Sequence, residues 1–349
     1  MKRRDFLKNV AMGGAALGVG SAVLSNPAMA WAYGDSDFGM CKSVRIKCIS
    51  ELGWYESADH KGAVNEAVAK YQGLGTNITT YVVDWDEKNN AGACTLIEME
   101  TLDGEIHKFL LDTGFGVDYM TNCFARENVH TMLKNKEIEF VALSHEHGDH
   151  IFGLEALMKW DPSITVVVPE DFQPDGLFFI RGGGYKTIGI ENKYLHTGKV
   201  VKTPMGQVTK MYDGCALVNF DVTLGGPAIG EQSFYFNVKD KGIVCVTGCC
   251  HQGIGTLGDF ALENFDTDGS LYGIYGGLHM APHGTLLPGA EEKIYDMARF
   301  DFQKVAANHC TGTPAVQLMK DLGYPVVGGT GRYGSKSDIY VGNGDEVLF

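Results

Sequence analysis

The chain has 349 residues, 44% hydrophobic and 21% charged, which is the balance of an ordinary globular protein with room for one large domain or two small ones. Its formal charge is −14; Lys2, Arg3, Arg4 and Lys8 against Asp5 give the first thirty residues +3, leaving −17 for the rest. Such acidity argues against a nucleic-acid partner held through phosphates and against attachment to anionic lipid.

In chain order, Lys2-Arg3-Arg4-Asp5-Phe6-Leu7-Lys8 comes first, then a small-residue apolar run from Val10 to Leu24, then Pro27-Ala28-Met29-Ala30. A charged start, an apolar middle and an A-x-A end are the parts of a secretory signal. The run is about fifteen residues and rich in Gly and Ala, short for a membrane span. The paired arginines followed by Phe-Leu-Lys resemble a twin-arginine (Tat) signal. The expectation is a signal over residues 1–30 read by the Tat export machinery. It implies a mature chain from Trp31, a periplasmic or otherwise exported location, and no stable membrane insertion after cleavage.

No repeat or low-complexity block interrupts residues 40–349. Short apolar runs rich in β-branched residues predict strands at Val44–Ile49, Cys94–Met99, Phe109–Leu111, Ile138–Leu143, Ile164–Val168, Gly242–Val246 and Val305–Ala307. Thr101-Leu102-Asp103-Gly104 reads as a hairpin turn, and the polar stretch from about Asn77 to Ala93 as a surface insertion. Helical spacing follows His150 through Ile151, Leu154, Leu157 and Met158, and recurs at Ala290–Phe300 and Ala315–Leu322. Interleaved strands and helices indicate a layered α/β architecture, read as a single domain over 31–349. Nine cysteines, an odd number spread over three hundred residues, do not make a disulfide framework. Export would permit a bridge, with Cys41 and Cys48 as one candidate pair.

The chemistry concentrates in Ser144-His145-Glu146-His147-Gly148-Asp149-His150, directly after an apolar strand. On extended backbone, residues two apart face one side, so His145 and His147 can share one ion. Gly148 permits a tight turn, after which Asp149 and His150 open a helix and converge on a second position. Imidazole and carboxylate suit zinc, iron or manganese.

H-x-H-x-D-H after a buried strand resembles the metallo-β-lactamase superfamily, as does Phe109-Leu110-Leu111-Asp112-Thr113-Gly114 ahead of it. Three later segments narrow the resemblance: Thr247-Gly248-Cys249-Cys250-His251-Gln252-Gly253-Ile254, Gly276-Gly277-Leu278-His279-Met280 and His309-Cys310-Thr311-Gly312. They are similar to T-G-C-x-H-x-G-I, G-G-F-H-L and H-C-T-G of the branch that includes dihydropterin-methyl-ribofuranosylaminobenzene-phosphate synthases. The resemblance spans roughly residues 43–345 and implies a four-layered αββα sandwich with metals at one edge between two sheets.

It further implies metal ligands at His145, His147, Asp149, His150, His251 and His309, binding two divalent ions, zinc favoured and iron or manganese able to use the same donors. Asp149 would also be catalytic, orienting the water nucleophile. Asp112 would accept a hydrogen bond from a ligating imidazole. Cys249 stays open between a thiolate that ligates or hydrogen-bonds and a packed thiol. His279 stays open between ligand and substrate contact, the latter favoured. His60, His107, His130, His196 and His283 lie outside the matched motifs and read as surface or satisfied core. The branch's T-G-x-I-P-R stretch is absent: this chain has Thr197-Gly198-Lys199-Val200-Val201-Lys202. Lys199, Lys202 and Arg181 are the candidate anion contacts there, and Gly182-Gly183-Gly184 reads as a flexible loop.

The expected activity is metal-dependent hydrolysis of a phosphoester or ester-type small molecule. An iron-containing redox or sulfur-handling protein of the same fold, or a non-catalytic metal- or ligand-binding protein, are the alternatives.

Overall fold

The computed structural model describes residues 32–33, 36–51, 92–185, 190–225, 228–282, 284–333, 335 and 338–349. Residues 32–349 form one compact unit. The twin-arginine signal, most of the polar stretch before Ala93, His60 and His283 lie outside the described residues.

Strands β1 to β6 are Ala32–Tyr33, Cys41–Ser50, Cys94–Thr101, Ile106–Leu111, Phe140–Ala142 and Thr165–Pro169. Strands β7 to β12 are Gly184–Tyr185, Ile190–Glu191, Val200–Thr203, Val208–Tyr212, Cys215–Gly225 and Ala228–Val238. Strands β13 to β16 are Gly242–Thr247, Gly273–Gly277, Lys304–Asn308 and Glu346–Leu348. The helices are α1 (Val117–Arg126), α2 (Val129–Lys134), α3 (Gly148–Ile151), α4 (Leu154–Met158), α5 (Pro174–Ile180), α6 (Ile254–Asn264), α7 (Ala290–Asp296) and α8 (Thr313–Asp321).

Hydrogen bonding links the strands in the order β1-β10-β11-β12-β2-β3-β4-β5-β6-β9, with β13, β14 and β15 branching from β12 and β16 lying against β2. The path divides where β12 meets β2 through Val238 opposite Cys41. On one side β4, β5, β6 and β9 run parallel; on the other β13, β14 and β15 run parallel.

Alternation along the strands builds the layers. Leu110, Val141 and Val166 face helices α1 to α5 through Met120, Phe124, Leu133, Leu157 and Phe179. Tyr235, Ile243, Cys245, Ile274 and Val305 face α6, α7 and α8 through Leu257, Ile294 and Val316. The opposite strand faces bring Phe109 and Phe140 against Phe234 and Phe236, with Phe109 4.7 Å from Phe140 and 5.2 Å from Phe234 between ring centroids. Helix, sheet, sheet, helix is therefore the layer order.

The hairpin at 101–104 forms as expected, between β3 and β4. The helical pattern after His150 splits into α3 and α4 at Phe152-Gly153. A Cβ on Gly153 would lie 2.0 Å from the Thr113 carbonyl, so the chain crosses there on bare backbone. Cys41 and Cys48 do not pair: both lie on β2 and both are free. Seven residues of extended strand hold them roughly 23 Å apart, far beyond disulfide reach.

Candidate metal centre

Both parallel groups end in short turns carrying the residues singled out from the sequence. Asp112 follows β4, His145 to His150 follow β5, Cys249 and His251 follow β13, His279 follows β14, and His309 follows β15. Parallel neighbours present their carboxyl ends together, so residues up to about two hundred apart in sequence gather at one edge, as in open parallel sheets generally. Asp112, Cys250, His279 and His309 all hold positive φ, between 48° and 64°. Non-glycine residues in this region cost free energy, and such strain gathers where a site is over-determined by its surroundings.

The outer nitrogen of each imidazole is tied to oxygen. Ser144 donates its N–H to Asp112 Oδ1 (2.6 Å) and its hydroxyl to Asp112 Oδ2 (2.7 Å), and its Oγ lies 2.9 Å from His145 Nδ1. With the hydroxyl proton committed to Asp112, His145 Nδ1 is the donor. His147 Nε2 lies 3.2 Å from the Leu224 carbonyl, which can only accept. His150 Nδ1 lies 2.7 Å from Asp112 Oδ2, His251 Nδ1 2.7 Å from Glu231 Oε2, and His309 Nδ1 3.1 Å from the Glu51 carbonyl.

The inner nitrogens converge. His145 Nε2 and His147 Nδ1 stand 3.0 Å apart, and on this assignment both present lone pairs. His251 Nε2 is buried without a hydrogen-bond partner. These three form one group whose donor atoms lie within 4.8 Å of one another. Asp149, His150 and His309 form a second such group. His309 Nε2 stands 3.4 Å from Asp149 Oδ2, and His150 Nε2 3.1 Å from Cys249 Sγ. The facing lone pairs of His145 and His147 repel, and a divalent cation between them would turn that repulsion into coordination. The donor set therefore fits two metal positions on the chemistry of its atoms.

Charge is distributed to match. Burial and the neighbouring His251 push His147 down to about 3, and burial with His150 pushes His145 well below the ordinary imidazole range. Both rings are thus neutral, the form that ligates. Burial alone would lower His309, but the Asp149 carboxylate outweighs it and raises His309 to about 10, so metal entering there displaces a proton. Burial would raise Asp149, yet the imidazoles of His150 and His309 hold it below the usual carboxylate range. Asp149 is therefore ionised at neutral pH.

Every residue expected to ligate is brought into one cluster, with Asp112 and Cys249 beside it. The His279 ring lies tilted by 43° at 4.4 Å from the His251 ring, and its backbone N–H meets Cys310 Sγ at 3.3 Å. Of the three candidate anion contacts, the side chains of Arg181 and Lys202 are engaged elsewhere. Arg181 donates to the Gly198 carbonyl and meets His196, and Lys202 donates to the Glu170 carbonyl. Lys199 enters the structure through its carbonyl, which accepts from Val166 N–H. The Gly182–Gly184 segment follows α5 and leads into β7. His107, His130 and His196 are satisfied by partners outside the cluster.

Sequence reasoning missed Glu231. Fully buried on β12, it accepts from His251 Nδ1 and from the backbone N–H groups of Cys249, Cys250 and His251 at 2.6–2.9 Å. Burial would raise its carboxyl, but His251 and these N–H groups hold it down to about 2. The available signal was Glu231-Gln232-Ser233, a polar triplet inside an aromatic-rich strand. Glu146, by contrast, turns away from the cluster to accept from Tyr185 (2.6 Å) and Gln173 N–H (2.8 Å).

A family model for the metallo-beta-lactamase superfamily matches residues 89–179, the span that contains Asp112 and His145 to His150. A crystal structure of a metal-dependent hydrolase of the beta-lactamase superfamily superposes with a TM-score of 0.53 at 18% identity, covering 87% of this chain and 98% of that one. The chain has the metallo-β-lactamase fold. The family match and the fold together support the metallo-β-lactamase superfamily, whose members are mostly hydrolases. Over 268 residues the chain is 24% identical to 7,8-dihydropterin-6-methyl-4-(beta-D-ribofuranosyl)-aminobenzene-5'-phosphate synthase of Methanocaldococcus jannaschii, 66% of this chain and 84% of that protein. Zn(2+)-bound PqqB from Methylobacterium extorquens superposes less closely, with a TM-score of 0.46 at 12% identity over 87% of this chain and 99% of that one.

Proposed function

We propose that this metallo-β-lactamase-fold protein is a metal-dependent hydrolase acting on a phosphoester or ester-type small molecule, with His145, His147 and His251 holding one divalent ion and Asp149, His150 and His309 a second. Zinc is the favoured metal, and iron or manganese suit the same donors. The observation that carries this reading is the tautomer pattern: each outer nitrogen is committed to oxygen, and His251 Nε2 is buried with no hydrogen-bond partner. Divalent ions at these donors supply Lewis acidity, polarising a phosphoryl or carbonyl oxygen and making water a nucleophile near neutral pH.

The chain's own residues do the rest. Asp112 and Glu231 hold His150 and His251 in one tautomer and one orientation, so no reorganisation is needed when ligands bind. The ionised Asp149 can orient an attacking water and accept its proton. His279, half-buried beside His251, is the proposed substrate contact. The likeness to the archaeal synthase supports a phosphate-bearing substrate. Location is part of the proposal: the twin-arginine-like start supports action outside the cytoplasm, on a substrate of the cell envelope.

The test is metal analysis of the purified protein, followed by a screen of phosphodiesters, phosphomonoesters and lactones after loading with zinc, manganese or iron. About two metals per chain and metal-dependent turnover are expected. Fewer than one metal per chain with no turnover after loading would sink the reading. Full activity in chelated protein would sink the mechanism and leave the enzyme.

A further inference from the structure

Cys249 and Cys310 come from turns after two different strands, β13 and β15, yet their sulfurs stand 3.3 Å apart. Between those strands runs β14, and its last residue, Gly277, lets the Cys249 backbone and the Cys310 thiol pack close together. A Cβ there would lie 2.7 Å from Cys310 Sγ and 3.3 Å from Cys249 Cα. Cys249 also sits among the donors. It groups with His145 and His150, with His251 and His279, and with His309 and Cys310, in each case with ligand atoms within 4.8 Å.

We propose that Cys249 and Cys310 form an oxidisable dithiol, which a hydroperoxide closes to an intrachain disulfide that withdraws Cys249 from the metal-donor cluster. For its consequence this rests on the metal reading above, extended by Cys249 as a further donor 3.1 Å from His150 Nε2, though not for the bond itself. A disulfide needs an S–S distance of about 2.05 Å, so the sulfurs must approach by roughly 1 Å through side-chain rotation. Both thiols are buried, but half-buried His147, His251 and His279 border the cluster. A hydrolytic site must admit water, and hydrogen peroxide is scarcely larger.

The chemistry balances in two steps. One thiol sulfur attacks the peroxide O–O bond, giving a sulfenic acid and one water. The second thiol then attacks that sulfur; the S–S bond forms, the S–O bond breaks, and a second water leaves. Two thiols lose two electrons together, and the peroxide gains them. A dithiol reductant reverses the change by exchange. Closure turns Cys249 Sγ from its position 3.1 Å from His150 Nε2 towards Cys310.

The purified full chain, stripped with a chelator, is treated with hydrogen peroxide, alkylated and peptide-mapped, beside a zinc-loaded sample. All nine cysteines are free in the starting state. The expected result is a Cys249–Cys310 cross-linked peptide with seven alkylatable thiols left, protection by zinc, and full reversal by dithiothreitol. Zinc affinity of the oxidised protein should fall at least about tenfold, while Cys310→Ser should form no such cross-link. Nine thiols after treatment, or overoxidation at either sulfur without a cross-link, overturns the proposal; so does a cross-linked protein that binds zinc as tightly as the reduced one. A reduced protein that binds no zinc overturns the metal reading and the competition with it, while the peptide map decides the dithiol separately. Should Cys310→Ser fail to fold, the wild-type map decides alone.

Discussion

At the scale of single residues, the cluster depends on groups that do not themselves ligate. Glu231 is the sharpest case, since one carboxylate fixes the His251 ring and satisfies three backbone N–H groups of the turn that carries it. Glu231→Gln keeps the shape but loses the charge and one acceptor. Metal affinity is expected to fall about 10–100-fold, the usual effect of losing an orienting partner of a ligand. Competition against a chromophoric chelator measures it, and an unchanged affinity would mean that His251 is held by its turn alone. Glycine matters here at one position above others: a Cβ on Gly248 would lie 2.2 Å from Ser144 Oγ and 2.9 Å from Asp112 Oδ2. The bare residue lets the β13 turn close on the Asp112–Ser144 pair, which joins the two halves of the cluster. His145, His147, Asp149 and His150 were legible because their spacing is itself the chemistry, whereas His251 and His309 were legible only through the motifs shared with the resembled family. Glu231 was not, because a lone carboxylate in a strand has no spacing to read, and its partner lies twenty residues on.

At the scale of elements, the pairing of β4 with its neighbours includes a charged stack at the opposite end of that strand from the donor cluster. His107 Nδ1 meets Glu139 Oε1 at 2.9 Å, Tyr212 donates to Glu139 Oε2 at 2.8 Å, and the His107 and Tyr212 rings stack at 3.8 Å. Burial would lower His107, but Glu139 outweighs it and raises the imidazole above its usual value. Burial would likewise raise Glu139, and His107 outweighs that and lowers it. The sign follows. His107 adds stability that is fully present below its unfolded value of about 6.5 and is lost as pH rises through its higher folded value. Glu139 adds stability present above its own unfolded value and lost as pH falls through its lowered folded value. The pair therefore stabilises most between those two limits, by no more than about 1 kcal/mol at this partial exposure. Urea midpoints on the alkaline side of pH 6.5 should drop in wild type more than in His107→Gln; parallel curves for the two would remove His107 from the account.

The element boundaries show where pattern reading stops. Strands such as β6 and β13 are built on apolar runs, Val166–Val168 and Ile243–Val246, and were legible as such. β11 and β12, eleven residues each, were not, because Asn219, Glu231, Gln232 and Ser233 are buried polar groups that break the apolar pattern. Their partners are distant: Gln232 reaches the Leu143 carbonyl and Thr203, and Asn219 the Thr203 carbonyl.

At the scale of the whole molecule, the two halves are joined by an aromatic layer. Phe109, Phe140, Phe234 and Phe236 are fully buried, with Phe109 in ring contact with the other three. Phe109→Ala is expected to cost about 3–5 kcal/mol, the range for truncating a core aromatic that leaves a cavity. Because the cluster draws its donor residues from both halves, the same variant should bind metal less tightly. Calorimetric unfolding with and without zinc would test both; a loss of stability with no loss of affinity would show that the site edge holds without this layer.

The sequence by itself determined the chemistry: histidines two apart on extended backbone, a turn glycine, then Asp149 and His150 opening a helix. It also determined which strands end in those residues, since an apolar run followed by a polar cluster is a local pattern. What only the tertiary structure decided is which nitrogen of each ring faces inward, and which buried groups hold it there. Those answers depend on Asp112, Ser144, Leu224, Glu231 and Glu51, brought to the rings by the turns after β4, β5 and β2 and by the antiparallel strands β11 and β12. Periodicity carries no information about such partners; hydrogen-bond satisfaction inside a closed core does.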